Sequence, residues 1–163
     1  MSVTAEGLLS QPLAYARVMI ARSAAFQAWT GAADETAALA QVHLLHSTRK
    51  PTLPMCLLDL GDQFERSRTT ILNGASFESL GQIIAYFRDV VDPGADELDA
   101  TYAFINRLGA VWRDLEALAG TPGLLGITNI SLAVPPTRIE PDRRQHAGDL
   151  FEAALACTFR LTP

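Results

Sequence analysis

The segment Leu150–Leu161 alternates without a break. Phe151, Ala153, Leu155, Cys157, Phe159 and Leu161 fall on one side; Glu152, Ala154, Ala156, Thr158 and Arg160 fall on the other. A period of two belongs to a strand, and a side this apolar must be covered by another layer. The residues before it supply that layer. Phe77–Val91 is strand-like, Ala95–Ala119 helical, Leu124–Val134 strand-like, and Pro135–Gly148 a polar loop leading into the alternating segment. Strands joined through one long helix and then through a loop predict an α+β fold, an antiparallel-rich sheet packed against helices.

The helix has clear boundaries. Asp92-Pro93-Gly94 stops the preceding strand, and Asp96, Glu97 and Asp99 crowd the first turn, where the macrodipole favours negative charge. Leu98, Thr101, Tyr102, Ile105, Leu108, Val111, Trp112, Leu115 and Leu118 make one apolar stripe, expected to pack on the sheet. Gly120-Thr121-Pro122-Gly123 ends it. The strand before it is apolar on both faces, with Ile83, Ala85 and Phe87 on one and Ile84 and Tyr86 on the other. Such a strand lies in the middle of a sheet, or turns its second face to another subunit.

The front of the chain reads as helical. One helix is expected from Gln11 to Trp29, with Ser10 as cap, Pro12 in the first turn and Gly31 at the close. A second is expected from Ala33 to Leu45, with Asp34 and Glu35 at its start and His43 and His46 near its end. Leu53–Leu60 reads as a strand with an irregular start at Pro54, Gly61-Asp62 as a turn, Phe64–Leu72 as a strand exposed on one face, and Asn73-Gly74 as a hairpin turn. Residues 1–163 are expected to form a single domain, with a helical pair over 11–45 and a mixed sheet and helix part over 53–162.

Composition excludes several classes. Apolar residues are 48% and charged residues 19%, which is globular and not disordered. The net charge of −5 argues against a surface that wraps nucleic acid. No apolar run reaches the roughly 18 residues of a membrane span, and the N-terminus lacks the pattern of a secretion signal. Lys50 is the only lysine, so the positive charge is nearly all arginine, which suits planar contacts to carboxylates. Cys56 and Cys157 sit in apolar strand-like runs and are expected as buried free thiols, with a disulfide between neighbouring strands as the alternative. The missing secretion signal and the free thiols both fit a protein made and used in a reducing cytoplasm.

Chemistry is nearly silent. His43 and His46 stand close but have no third ligand in sequence, and His146 is far away, so no metal site is expected. There is no phosphate loop, no nucleophile elbow and no zinc-protease helix. Asp59 and Asp62 flank the expected turn, where solvated carboxylates are the plainer reading than an acid–base pair. No catalytic residue, no cofactor and no enzymatic activity are expected. The one segment that invites a partner is Pro135–Gly148: fourteen residues, three prolines, and Arg138, Arg143, Arg144 and His146. It is longer than hairpin loops usually are, and its prolines reduce the entropy lost on docking. Those four residues are the expected interface.

The order of elements resembles the tail terminator (tail completion) proteins of long-tailed bacteriophages. The resemblance runs from about Ala14 to Leu161 and is carried by AFQAWTGAADETAALAQVHL, GQIIAYF, DATYAFINRLGAVWRDLEALAG and ITNISLAVPPTRIEPDRRQHAGDLFEAALACTFRL. It rests on layout and size more than on invariant residues. It implies a homo-oligomer, a hexameric ring that caps the major tail tube protein and meets the head–tail connector protein, with DNA only passing through the lumen. The location it implies is the tail or neck of a virion; gene transfer agents use similar parts. Another neck component (a head-completion or tube protein) and a small-ligand binding protein are the alternatives.

Overall fold

A computed structural model describes residues 9–45, 52–71, 74–123, 126–140 and 148–161. The elements, in chain order, are α1 (Ser10–Arg22), α2 (Ala24–Thr30), α3 (Glu35–Leu39), β1 (Val42–Leu44), β2 (Met55–Ile71), β3 (Gly74–Val90), α4 (Glu97–Leu118), β4 (Gly126–Ile139) and β5 (Leu150–Leu161). The strands form one sheet in the order β1-β2-β3-β5-β4. Only the β1–β2 pairing is parallel; the other three are antiparallel. The α+β expectation holds, and β3 lies in the middle, as its two apolar faces required.

One face of the sheet meets all four helices. Cys56 and Leu58 of β2, Ile83, Ala85 and Phe87 of β3, and Ala153, Leu155, Cys157 and Phe159 of β5 form a single core with Met19, Ile20, Phe26, Ala38, Phe104, Leu108, Val111 and Leu115 of the helices. The alternation of β5 is thus fully used. Trp29 stacks on Phe87 at 5.9 Å between ring centres and meets Phe104 edge-on at 5.4 Å. Its indole donates to Asp89 Oδ2 at 2.7 Å, so a half-buried polar group is satisfied where the ring enters the core.

Several local expectations are corrected. The first helix is two: the chain turns extended at Ser23 (φ −61°, ψ 118°), whose hydroxyl accepts from the Phe26 N–H and caps α2. Ser10 lies inside α1, with Leu9 at the cap position, while Gly31 closes α2 at φ 69° as expected. The second helix stops after five residues, and His43 belongs to the parallel strand β1, not to a helix end. Arg17 stabilises this ending by donating to the carbonyls of Val42 and Leu39. His46 lies outside the described residues.

Gly61-Asp62 is not a turn. β2 runs through it as a bulge between Leu60↔Ile83 and Phe64↔Gly81. Four steps on β2 oppose two on β3, so two residues are extra; an even insertion preserves the face, and Phe64 still points into the core side. There it meets Phe159 at 6.4 Å across Gly81. A Cβ on Gly81 would come within 2.8 Å of both rings, so glycine is what lets the two aromatics close over β3. The two cysteines are free and sit on β2 and β5, which β3 separates, so they are not neighbours in the sheet.

Candidate assembly surfaces

Three surfaces stand apart from the core that the helices and sheet close. The first is an arm. Among the described residues β5 pairs with β3 as far as Ser79↔Leu161, whereas β2 and β3 go on pairing from Ser67↔Glu78 to Ile71↔Gly74. These five further pairs project a two-stranded ribbon roughly 16 Å beyond the sheet. Its closing pair agrees with the turn expected at Asn73-Gly74; Leu72 and Asn73 lie outside the described residues. A lone two-stranded ribbon is marginal in water, and it gains stability by lying on something else.

The second surface is the outer face of the sheet. Rows Leu57–Tyr86–Ala154–Val134 and Asp59–Ile84–Ala156–Ser131 cross it. None of these residues belongs to the core cluster that the helices close. Leu57, Ala154 and Ala156 are buried, Ile84 and Tyr86 are half-buried, and Leu80 is exposed. Arg88 of β3 and Glu152 of β5 form an ion pair at the end of this face. Beside the bulge the face dips into an open cleft of about 350 Å³ lined by Asp62, Gln63, Glu65, Gln82 and Thr158.

The third is the flank of α4. The helix buries Phe104, Leu108, Val111 and Leu115, yet Leu98, Tyr102 and Ile105 of the expected stripe are 64%, 59% and 40% exposed. The expected apolar arc was wider than one sheet can cover; the sheet takes one edge of it and Phe104, which the stripe had omitted. The start of α4 is as expected, with Asp96 Oδ1 accepting from the N–H groups of Leu98 and Asp99.

The segment singled out for a partner is partly strand. β4 continues through Pro135 and Pro136 to Ile139, with register shifts at Leu132/Val134 and Val134/Thr137 that admit the prolines at the sheet edge. Arg138 is on this strand, and its Nε donates to Asp149 Oδ2 at 2.6 Å across the start of β5. The structure therefore engages its charge within the chain, beside an open cleft of about 230 Å³ whose lining includes Asp92, Glu97, Pro136 and Phe151. Arg143, Arg144 and His146 lie outside the described residues.

The two thiols are shifted from their ordinary values. Burial pushes Cys157 up to about 12, and burial followed by the charge of Cys157 raises Cys56 well above its ordinary 9.0. These are packing thiols, protonated at neutral pH, and not nucleophiles. Among the described residues no three His, Cys, Asp or Glu side chains gather as a metal ion would require, and no helix is long and apolar enough to cross a membrane.

No protein-family model matches this chain, and no curated protein does. Among solved structures it is similar to a chain of the "virion of native gene transfer agent (GTA) particle", at 12% identity and a TM-score of 0.48, over 97% of this chain and 99% of that one.

Proposed function

We propose that this protein is a structural subunit of a phage-type particle, a tail terminator that closes the tail tube as a ring of six copies and offers the joining surface to the head connector. It acts by assembly and carries out no turnover. The observation that carries the assembly reading is the β2–β3 arm, five residue pairs that run on past the last β3–β5 pair among the described residues. The outer face, with Ile84, Tyr86 and Leu80, adds apolar surface of the kind that subunits cover for one another. The role within the particle rests on the resemblance in sequence layout. Arg143, Arg144 and His146, with Arg138 at the base of their segment, form a second contact, in which arginine pairs with carboxylates of a neighbour.

The net charge of −5, repeated round a ring, gives a conduit that repels phosphate and does not grip a passing genome. Deleting the gene from a particle-producing genome is the test. Heads without joined tails, or tails of irregular length, are the expected result, and the purified protein added back should appear as a ring at tube ends. Normal joined particles from the deletion overturn the reading. So does tight binding of duplex DNA by the purified protein at low salt.

A further inference from the structure

The exposed apolar residues of α4 are not scattered. Leu98, Tyr102 and Ile105, exposed, and Gly109 and Trp112, half-buried with Trp112 packed against the edge of the core, follow one another at steps of four, three, four and three, the spacing of a seam between two helices. At about 100° per residue this seam lies roughly 110° round the helix from the buried stripe of Phe104, Leu108, Val111 and Leu115. A helix laid along the seam therefore sits beside α4 and clear of the sheet. At Gly109 an added Cβ would meet no atom within 4 Å, so the seam has a notch in its middle.

We infer that this seam binds the α4 of a second copy, antiparallel, about a two-fold axis through Ile105. The match is built into the sequence. With Ile105 on Ile105 of the second copy, Leu98 falls on Trp112 and Tyr102 comes within one residue of the Gly109 notch, on both sides of the axis. A large side chain lies beside the gap, and the two intermediate ones meet each other. The charges agree as well. Asp99 and Arg113 are both exposed on the same flank of the seam, and neither makes an ion pair among the described residues. In an antiparallel pair that flank meets its own copy end to end, which sets Asp99 against Arg113 twice. A parallel pair would set this flank against the opposite flank of the copy, and Asp99 would not meet Arg113. Trp112 is already oriented, its indole donating to Glu116 Oε1 at 2.8 Å.

This contact goes beyond the ring. A two-fold contact joins the same patch on both copies, while a cyclic ring joins two different patches, so each can fail without the other. Ile105→Cys and Leu98→Cys separate the arrangements, since Cys56 and Cys157 are buried. Under mild oxidant the Ile105→Cys chain should form a disulfide-linked dimer. The Leu98→Cys chain should not, because its two thiols stand about 21 Å apart in the antiparallel pair. Sedimentation of the parent should show a dimer; Asp99→Arg or Arg113→Asp should raise its Kd about tenfold or more, and the double exchange should restore it. A parent that remains monomeric at high concentration overturns the inference. So does equal cross-linking of both cysteine variants, or a double exchange no better than either single change.

Discussion

Asp114 Oδ2 of α4 accepts hydrogen bonds from the Ser23 hydroxyl at 2.8 Å and from the Ala25 N–H at 2.9 Å, across about ninety residues of sequence. Ser23 is the residue at which the first helix breaks, and it is 1% exposed. One carboxylate on the long helix thus satisfies the donors that the break uncovers and fixes how α1 and α2 meet the core.

The first prediction concerns that carboxylate. Asp114→Ala leaves a buried hydroxyl and the first N–H groups of α2 without their acceptor, and should cost about 1.5–3 kcal/mol, the usual range for hydrogen bonds to a charged group. Asp114→Asn keeps one acceptor and should cost about half as much. Urea denaturation of the three proteins checks the order; equal midpoints for Asp114→Ala and the parent would show that the break holds without it.

The two sides of α4 should respond in opposite ways to the same change. Leu108 is 4% exposed in the core, so Leu108→Asp loses the burial of a large side chain, about 1.5–3 kcal/mol, and sets a carboxylate in an apolar site as well. It should unfold or aggregate. Leu98 is 64% exposed in the first turn, where an acidic residue suits the macrodipole, so Leu98→Asp should leave the melting temperature of the dilute protein within a few degrees. Thermal melts at one low concentration decide between this and a uniform stripe.

The thiols set a limit at high pH. Both are raised in the folded protein, so the neutral form is the one the core favours. That contribution is fully present below the ordinary thiol value of 9.0 and is lost as pH rises towards the folded value of about 12 for Cys157. Stability should therefore fall between pH 9 and 12, and Cys56→Ala with Cys157→Ala should flatten part of the fall, whatever the substitutions cost at pH 7. At pH 8 neither thiol of the folded protein should react with iodoacetamide until denaturant is added; rapid labelling without denaturant would place them at the surface.

Where sequence patterns were strict, the fold was legible. The alternation of β5 and the acidic start of α4 placed both elements within two residues, and the two-faced β3 is the central strand. The failures share a cause: a local signal with two structural outcomes. Gly61-Asp62 allows a turn or a bulge, and only the aromatic contact of Phe64 with Phe159 over Gly81 makes the bulge win. Ala33–Leu45 has helical composition, but Arg17 holds its end as a strand beside β2. The seam of α4 and its core stripe are adjacent arcs of one apolar surface, and sequence spacing alone does not say which arc the sheet takes. The arm was legible as two strands and a turn, but not as a projection, because that depends on where β5 ends.

The arm supplies the last prediction. Because among the described residues no strand but β2 and β3 pairs within it, removing it should cost the body little. Replacing residues 67–78 with a two-residue Asn-Gly turn keeps the register from Arg66↔Ser79 inwards and leaves Gly81 between its two rings. The shortened chain should fold, with a melting temperature within a few degrees of the parent, since the core cluster of helices and sheet lies on β2, β3 and β5 inward of Arg66↔Ser79. What it should lose is assembly: no ring at tube ends and no joined particles when it replaces the parent gene. If the shortened chain still caps tubes, the arm is not the assembly element. If it fails to fold, the ribbon belongs to the body of the domain.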